Sequence, residues 1–382
     1  MKAKNSPGQG SGRGGGMSQG RRALRKAALT ALVALIVAGC LPGSPVAERQ
    51  APVTATPTVP STPTAAGENA LERPTAPVGT ATLSPTPTAP PATATPPAPA
   101  VPVDLFARLC WVAYSPTHYD PTRSPIQYPA EEDVRRDLLA LHQAGFDGLV
   151  TYAANLETGG QPGQLLDIPR LAGEAGFSGM IVGVWDPGSD AELAAAEATG
   201  QNPIVAGYSV GNEGLDERYD LATLTAAMTR LRLATGKPVT TTEQAGDYYR
   251  SSPLWKVSDW IFPNAHPYFA GIRDPQEAVA WTEQVFTTMS AFSRKYVFFK
   301  EVGLPGAGDS GLSEANQAAY YRLLRKTPVN YAVFEAFDAP WKHLGAPDSS
   351  GKYPWPDPEP HWGVFTAARQ PKPAVSGICS PR

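Results

Sequence analysis

Short apolar runs alternate with amphipathic segments from residue 104 to the end of the chain. Residues spaced three and four apart share an apolar face and predict helices at 131–143, 191–198, 221–234, 275–293 and 314–326. The apolar runs between them predict eight strands, at 109–114, 148–152, 179–184, 205–210, 238–242, 260–264, 297–300 and 331–337. Strands that alternate with helices in this way indicate a parallel sheet covered by helices.

The number of strands decides between two kinds of parallel fold. Eight strand–helix units over residues 104–382 fit a (β/α)8 barrel, the TIM barrel, which usually takes about 250 residues. The pattern Gly-x-Gly-x-x-Gly of nucleotide-binding open sheets does not follow the first predicted strand. After the eighth strand only a short helical segment is predicted, near 373–376, so we expect a reduced last helix. We therefore predict an α/β fold with one barrel domain at 104–382.

The first 40 residues have the pattern of an export signal. Basic residues, among them Arg21, Arg22 and Arg25, precede an apolar run at 27–38 that is too short to span a bilayer. The run ends in Ile-Val-Ala-Gly-Cys, which resembles a bacterial lipobox with Cys40 as the lipidated residue. We predict a lipoprotein signal region at 1–40 and an exported protein anchored to a cell membrane outside the cytoplasm. An ordinary cleaved signal is the alternative.

Residues 41–103 are dominated by proline, threonine and alanine. Frequent prolines remove backbone donors and hold a chain extended, so no core is expected in this segment. We predict a disordered, semi-rigid linker that separates the barrel from the membrane.

Charge and composition exclude several classes of function. The 382 residues carry a formal net charge of −3 without a basic run beyond the N-terminal region, so a nucleic-acid partner is not expected. There are five histidines and no His-Glu-x-x-His pattern, and the cysteines do not cluster. We therefore predict neither a metal site nor a cofactor. A serine nucleophile elbow is absent as well. We expect the protein to be a monomer.

Cys110 and Cys379 lie at opposite ends of the barrel segment. Disulfides persist outside the cytoplasm, and the first strand and last segment of a closed barrel are neighbours. A disulfide between Cys110 and Cys379 could therefore link the two ends of the barrel covalently. Two separate thiols, with Cys110 buried in a strand, are the alternative, because sequence cannot fix the connectivity.

Two acidic residues follow predicted strands where barrel enzymes carry their chemistry. Glu213 follows the fourth strand and Glu301 ends the seventh. Active sites of such barrels lie at the C-terminal ends of the strands, so both carboxylates are expected in one central cup. Retaining glycosidases need two carboxyl groups about 5–5.5 Å apart. The pair predicts glycoside chemistry, and for Glu213 alone a carboxylate at a helix N-terminus is the alternative.

Four motifs, in chain order, resemble those of glycoside hydrolase family 17, the β-1,3-glucanases and glucanosyltransferases. They are Val-Gly-Asn-Glu at 210–213, Ala-His-Pro-Tyr-Phe at 265–269, Glu-Val-Gly-Leu-Pro at 301–305, and Phe-Glu-Ala-Phe-Asp-Ala-Pro-Trp-Lys at 334–342 with His-Trp-Gly-Val-Phe at 361–365. The resemblance covers residues 109 to about 375. It implies a retaining enzyme with a β-glucan polysaccharide or oligosaccharide as substrate, and leaves hydrolysis and transglycosylation open.

The resemblance also implies roles for single residues. Glu213 would be the acid/base and Glu301 the nucleophile. Asn212 would bind the sugar 2-hydroxyl, Tyr268 would hold Glu301 through its hydroxyl, and Tyr114 would line the −1 subsite.

Further substrate contacts are expected near the end of the barrel. Trp341 is one of several tryptophans that either stack on sugars or simply pack, and Lys342 and Glu359 match a charge network of the family. Glu335 is either a substrate ligand or a buried paired acid.

Two positions depart from the family pattern. Leu304 stands where the family usually has tryptophan, and Ala339 where it usually has an acid. They motivate a second hypothesis, a surface glucan-binding lipoprotein on a catalytically impaired glycosidase scaffold.

Overall fold

The structure, a computed structural model, describes residues 99–379. The predicted signal region with Cys40, and the predicted linker up to residue 98, lie outside the described residues. Among the described residues no helix is long and apolar enough to cross a membrane.

Eight parallel strands form the sheet, namely β1 Trp111–Ala113, β2 Gly148–Val150, β3 Gly179–Val184, β4 Val205–Asn212, β5 Val239–Thr242, β6 Asn264–Ala265, β7 Phe299–Val302 and β8 Tyr331–Val333. Their order in the sheet is β5-β4-β3-β2-β1-β8-β7-β6. A parallel bridge between Gln244 and Asn264 joins the two ends of this order and closes the barrel. The predicted (β/α)8 barrel is confirmed.

Helices surround the barrel and begin at recognisable caps. At the start of five helices a side chain accepts a backbone N–H, and these caps are Asp167, Ser189, Asp220, Asp274 and Ser313. The helices are α1 Val103–Arg108, α2 Glu131–Gln143, α3 Ile168–Ala175, α4 Asp190–Ala198, α5 Leu221–Thr235, α6 Ala245–Arg250, α7 Ser252–Val257, α8 Pro275–Ser293, α9 Glu314–Leu324 and α10 Val375–Ile378.

Two apolar clusters fill the fold. The larger one lies between the strands and the helices. The smaller one fills the barrel interior near the N-terminal ends of the strands, where Trp111, Trp260 and Phe298 pack together with Phe106 of α1. This packing occupies the lower half of the barrel and leaves the C-terminal half for polar side chains.

A disulfide joins Cys110, directly before β1, to Cys379, directly after α10. It links residues 269 positions apart, with their Cα atoms 5.6 Å from each other. Of the two alternatives open from sequence, the structure contains the bridge, and it ties the first strand to the last helix.

Candidate active site

An irregularity in β4 aims the side chains that end this strand. The pairing with β5 shifts register between Val210 and Asn212, so Gly211 is an extra residue in β4. Gly211 has φ +75°, and a Cβ there would lie 2.2 Å from the Tyr219 hydroxyl. Glu213 also has a positive φ, 50°. Bulges and strained backbone of this kind are concentrated at functional sites, where they re-aim side chains.

A second irregularity, in β7, turns two consecutive side chains inward. The register against β8 shifts between Phe299 and Val302. Neighbouring residues of a regular strand point to opposite faces, yet both Lys300 and Glu301 lie in the barrel interior, 1% and 5% exposed. The shift in register accounts for this arrangement, because the extra residue releases the strict alternation.

The two irregular strands bring Glu213 and Glu301 together. One carboxylate oxygen of each residue and a ring nitrogen of His266 lie within 4.8 Å of one another. Within residues 99–379, this is the group of acidic and histidine side chains close enough to share a metal ion. An oxygen separation of at most 4.8 Å fits the close carboxyl pair of retaining glycosidases, about 5–5.5 Å apart, and not the about 6.5–9.5 Å of inverting ones.

His266 orients Glu301. Its Nε2 lies 3.2 Å from Glu301 Oε2, while its Nδ1 is buried without a hydrogen-bond partner among the described residues. The ring packs against Phe334 and Trp362, with centroids 4.9 and 5.0 Å away. The arrangement favours the tautomer with the proton on Nε2, which then donates to the carboxylate.

Tyr152, rather than Tyr268, is the tyrosine beside Glu301. The Tyr152 hydroxyl and Glu301 Oε1 are both buried. Burial first, and then the charge of Glu301, raise the pKa of Tyr152 well above its usual range. Tyr268 donates instead to Asp309 at 3.0 Å, so the expected bond from Tyr268 to Glu301 is wrong. The tyrosine lies on a turn after β6, where Arg273 stacks on its ring at 4.9 Å.

Side chains from three strands fix the environment of Glu213. Asn264 Nδ2 of β6 donates to Glu213 Oε1 at 2.8 Å, and it also lies 3.4 Å from Asn212 Oδ1. Lys300 Nζ of β7 donates to the same Asn212 oxygen at 2.8 Å. Burial lowers the pKa of Lys300 to about 8, although the charges of Glu301, Glu213 and Glu243 act in the opposite direction.

Glu243, the residue after β5, holds the loop that follows Glu213. Its Oε1 accepts the Tyr219 hydroxyl at 2.8 Å and the backbone N–H groups of Gly214 and Leu215 at 3.3 and 3.2 Å. Burial raises the pKa of Glu243 to about 8, and this effect outweighs the hydrogen bond from Tyr219. A carboxyl that is largely protonated at neutral pH therefore supports the backbone beside the predicted acid/base.

Glu335 is a buried paired acid. Lys342 Nζ lies 2.8 and 2.6 Å from its two oxygens. Burial raises the pKa of Glu335 to about 7, Lys342 opposes the rise, and Glu301 and Glu359 add to it. The predicted charge network of Lys342 and Glu359 thus centres on Glu335, close enough to Glu301 for their charges to interact. Trp341, half-buried, packs edge-on against Tyr119, with centroids 6.2 Å apart.

The family follows from comparison with known proteins. A family model described as the BtgE/BtgC glycoside hydrolase domain matches residues 112–363, which include every strand of the barrel except the first residue of β1. The chain belongs to this family. The resemblance predicted from the four motifs is confirmed at this level, and the barrel is a glycoside hydrolase domain.

Individual relatives of the BtgE/BtgC domain are distant. A segment of 158 residues is 28% identical to the Aspergillus oryzae protein named "Probable glucan endo-1,3-beta-glucosidase btgC"; it covers 35% of this chain and only 22% of that protein. A Saccharomyces cerevisiae protein named "Glucan 1,3-beta-glucosidase" is 29% identical over 243 residues, which cover 53% of this chain and 74% of the yeast protein.

The barrel is also similar to that of a family 17 β-1,3-glucanosyltransferase from Rhizomucor miehei. The TM-score is 0.54 at 19% identity, over 70% of this chain and 97% of that one. At this identity the likeness shows a shared fold.

One predicted residue of the BtgE/BtgC domain points away from the cup. Tyr114 is buried, and its hydroxyl donates at 3.0 Å to Asp137 of helix α2. Trp111 of the same segment faces the barrel interior, and a residue three positions further along a strand faces the opposite side. The expectation that Tyr114 lines the −1 subsite is therefore wrong, since its ring lies between the barrel and the helices.

The departures at Leu304 and Ala339 do not disturb the carboxylate pair. Leu304 is fully buried in the outer core, and Ala339 is buried beside the loop that carries Lys342. Of two further tryptophans, Trp362 is buried against His266, whereas Trp185 is 39% exposed.

Sequence reasoning missed four polar residues that shape the site of the BtgE/BtgC domain, namely Tyr152, Glu243, Asn264 and Lys300. All four lie at or just past the C-terminal end of a predicted strand. Since this is the functional face of a barrel, a search for every polar residue at a strand end, rather than for acids alone, would have found them.

Proposed function

We propose that this domain is a retaining glycosidase that acts on β-1,3-glucan by double displacement. Glu213 is the acid/base and Glu301 the nucleophile. The observation that carries the proposal is the approach of the two carboxylates to within 4.8 Å at the ends of β4 and β7. A separation of this size suits direct attack by one carboxylate and leaves no room for a water between carboxylate and sugar.

The first step forms a glycosyl-enzyme. An oxygen of Glu301 attacks the anomeric carbon as the glycosidic bond breaks, and Glu213 gives its proton to the departing oxygen. The carboxylate of Glu301, supported by His266 and facing the Tyr152 hydroxyl, supplies the electron pair for the new bond. Asn264 donates to Glu213 and holds its carboxyl towards the same space.

The second step releases the sugar. Glu213 takes a proton from a water or from the hydroxyl of a second sugar, whose oxygen attacks the anomeric carbon and displaces Glu301. Water gives hydrolysis and a sugar hydroxyl gives transglycosylation. Two inversions at the anomeric carbon retain its configuration.

The substrate class is proposed from the relatives. The fungal relatives are named for β-1,3-glucan, and the structural neighbour transfers it. The two carboxylates that face each other in the cup, Glu213 and Glu301, suit a neutral polysaccharide better than an anionic one.

The N-terminal sequence supports an exported, lipid-anchored location for this activity. Labelling cells with a palmitate analogue tests it, because Cys40→Ala should abolish the label. Equal labelling of the variant and the wild type would reject the anchor.

The activity test uses the purified full-length protein. Laminari-oligosaccharides are incubated with wild type, Glu301→Gln and Glu213→Gln, and products are followed by mass spectrometry, with the anomeric configuration read by NMR. We expect retained configuration and losses of at least about 10³-fold in both variants. Products longer than the donor would identify transglycosylation. Glu132→Gln, at an exposed position of α2, is the matched control.

Three results would reject the proposal. One is a product of inverted configuration. Another is an inactive wild type that still retains laminarin on a column, which would make the domain a binding module. The third is loss of activity with a metal chelator, since two carboxylates and an imidazole are also ligands that zinc accepts.

A further inference from the structure

The buried ammonium of Lys300 touches the residue that precedes the proposed acid/base. Lys300 lies on β7 and is 1% exposed. Its Nζ reaches across the barrel to Oδ1 of Asn212, at the end of β4, at 2.8 Å. The same nitrogen lies 4.4 Å from the centre of the Tyr152 ring. Burying a lysine ammonium inside a barrel costs free energy unless the group is hydrogen-bonded or paired with an opposite charge.

We propose that Lys300 is a positioning residue that fixes which end of the Asn212 side-chain amide faces the substrate. The inference rests on the proposed function, and it concerns the sugar unit that is attacked. A side-chain amide has an oxygen that accepts and a nitrogen that donates, and the two ends are nearly equal in shape. Without a fixed partner, Asn212 could present either end to a sugar hydroxyl.

An ammonium group removes this choice because it can only donate. The oxygen of Asn212 must therefore face Lys300, and the NH2 group is turned to the other side. Asn264 Nδ2, at 3.4 Å, approaches the same oxygen and reinforces the orientation. The end of Asn212 left for a ligand is then a donor, which suits the oxygen of a sugar hydroxyl beside the anomeric carbon.

The surroundings keep the ammonium charged at neutral pH. Burial and the guanidinium of Arg218 act against the charge of Lys300, whereas Glu301, Glu213 and Glu243 favour it. The result is a pKa of about 8. The neighbouring acids therefore help to maintain the group that orients Asn212.

The test is a double-mutant cycle with two substrates. Lys300→Met, Asn212→Ala and the combination are assayed on an aryl β-glucoside, or an aryl β-laminaribioside, and on its 2-deoxy analogue. We expect Lys300→Met to lower kcat/KM on the 2-hydroxy substrate roughly 10- to 100-fold, mainly through kcat, as expected for one oriented hydrogen bond in the transition state. When Asn212 is already alanine, Lys300→Met should lower kcat/KM no more than about twofold.

The 2-deoxy substrate gives a readout that a purely structural role would not move. It lacks the hydroxyl that Asn212 contacts, so Lys300→Met should change its kcat/KM by less than about threefold. Lys300→Arg, which also can only donate, should recover part of the activity. If Lys300→Met does not fold, Lys300→Gln takes its place. The glutamine amide can donate or accept, so the Asn212 amide is free to rotate by 180°, and the same loss, confined to the 2-hydroxy substrate, is expected.

A matched control is Lys295→Met. Lys295 lies before the same strand, and its ammonium donates to the backbone carbonyl of Lys256 at 3.2 Å and to that of Ser258. This variant should leave both substrates unaffected. Losses of Lys300→Met and Asn212→Ala that multiply, or an equal loss on the 2-deoxy substrate, would overturn the inference. An inactive wild type would instead reject the proposed function, so the two failures are distinguishable.

Discussion

Lys342 neutralises Glu335 from within the barrel mouth, with its ammonium 2.8 and 2.6 Å from the two carboxylate oxygens. Glu335 is 1% exposed. Where the family pattern has a further acid before this lysine, the chain has Ala339, and Glu335 serves as a carboxylate partner of Lys342. Even so, burial raises the pKa of Glu335 to about 7. The Glu335 carboxyl of this pair therefore gains or loses its proton near neutral pH.

Lys342→Met should destabilise the protein more at pH 8 than at pH 5. At pH 8 the variant must either bury the Glu335 carboxylate without its cation or take up a proton to neutralise it, and breaking a buried ion pair in this way costs up to about 3–5 kcal/mol. At pH 5 Glu335 is protonated and neutral, so the loss is smaller. The sign follows from the pKa: it is about 7 in the folded protein and about 4.3 when unfolded. The stability that Glu335 contributes is therefore full below about pH 4.3 and declines as pH rises towards 7.

Thermal unfolding of Lys342→Met and wild type at the two pH values measures this difference. The double variant Glu335→Gln/Lys342→Met removes the stranded charge and should regain stability at pH 8. Equal losses at pH 5 and pH 8 would show that Lys342 acts through packing alone.

Glu243→Ala should lower both stability and kcat, while Glu243→Gln should retain most of each. The alanine removes the acceptor of the Leu215 N–H and one of the two acceptors of the Gly214 N–H, which also donates to the Tyr219 hydroxyl. This costs about 1–3 kcal/mol and loosens the backbone that follows Glu213. Glutamine keeps an acceptor oxygen and resembles the protonated carboxyl. Urea unfolding and initial rates on laminari-oligosaccharides measure both effects, and equal behaviour of the two variants would contradict the role.

The same residue makes a pH prediction. Because burial raises the pKa of Glu243 to about 8, against about 4.3 in the unfolded chain, its contribution to stability falls between these two pH values. Glu243→Gln should remove this part of the dependence of the free energy of unfolding on pH. If wild type and Glu243→Gln show the same pH dependence between pH 5 and pH 8, Glu243 is ionised in the folded protein.

The periodic pattern of the sequence predicted most of the barrel, because helices with a continuous apolar face leave a strong signal. The helices at Glu131–Gln143 and Pro275–Ser293 have the predicted bounds. The sixth strand does not: residues 260–264 were predicted, and the strand is Asn264–Ala265. Trp260 and Phe262 belong to the interior cluster and Ile261 to the outer one, so the side chains of this run alternate as in a strand. Its backbone, however, pairs with the neighbouring segment only through a bridge at Ile261 and through the two residues of β6.

The site was predicted less completely, for a physical reason. Glu213 and Glu301 were found because each acid follows an apolar run. Lys300 ends the predicted strand 297–300, and regular alternation places it on the inward face with Phe298 and turns Glu301 to the opposite face. That Glu301 also faces inward, beside Lys300, depends on the register shift in β7, and a single sequence gives no sign of that shift. The partner of Tyr268 likewise depends on the position of Asp309 in the next loop.

Loss of the disulfide should lower stability without affecting the active site. Cys110→Ser or Cys379→Ser opens a loop of 269 residues, for which chain entropy predicts about 5–6 kcal/mol. Each variant, and the wild type in reductant, should unfold at the same lower urea concentration. Activity at 25 °C should be unchanged, since Cys110 precedes β1 at the end of the barrel opposite the cup. Unequal midpoints of the two single variants would show that one thiol contributes by packing.

Trp185 should support binding of longer substrates. It directly follows β3, and the guanidinium of Arg218 covers one face of its ring, 4.1 Å from the centroid. Arg218 also donates to the carbonyl oxygens of Trp185 and Asn212, at 2.9 and 2.6 Å, which ties the ring to the end of β4. The indole remains 39% exposed, and an aromatic face of this kind suits the apolar face of a pyranose.

Trp185→Ala should therefore raise KM for laminari-oligosaccharides roughly 5- to 10-fold, as expected for one stacking contact of about 1–1.5 kcal/mol. The kcat for a short aryl β-glucoside, which does not extend beyond the cup, should change little. Trp185→Phe keeps a ring and should recover most of the affinity, and Leu233→Ala, at an exposed position of α5, is the control. Steady-state kinetics on both substrates measure the difference, and a parallel loss on the long and the short substrate would place the effect in the catalytic centre rather than in an outer subsite.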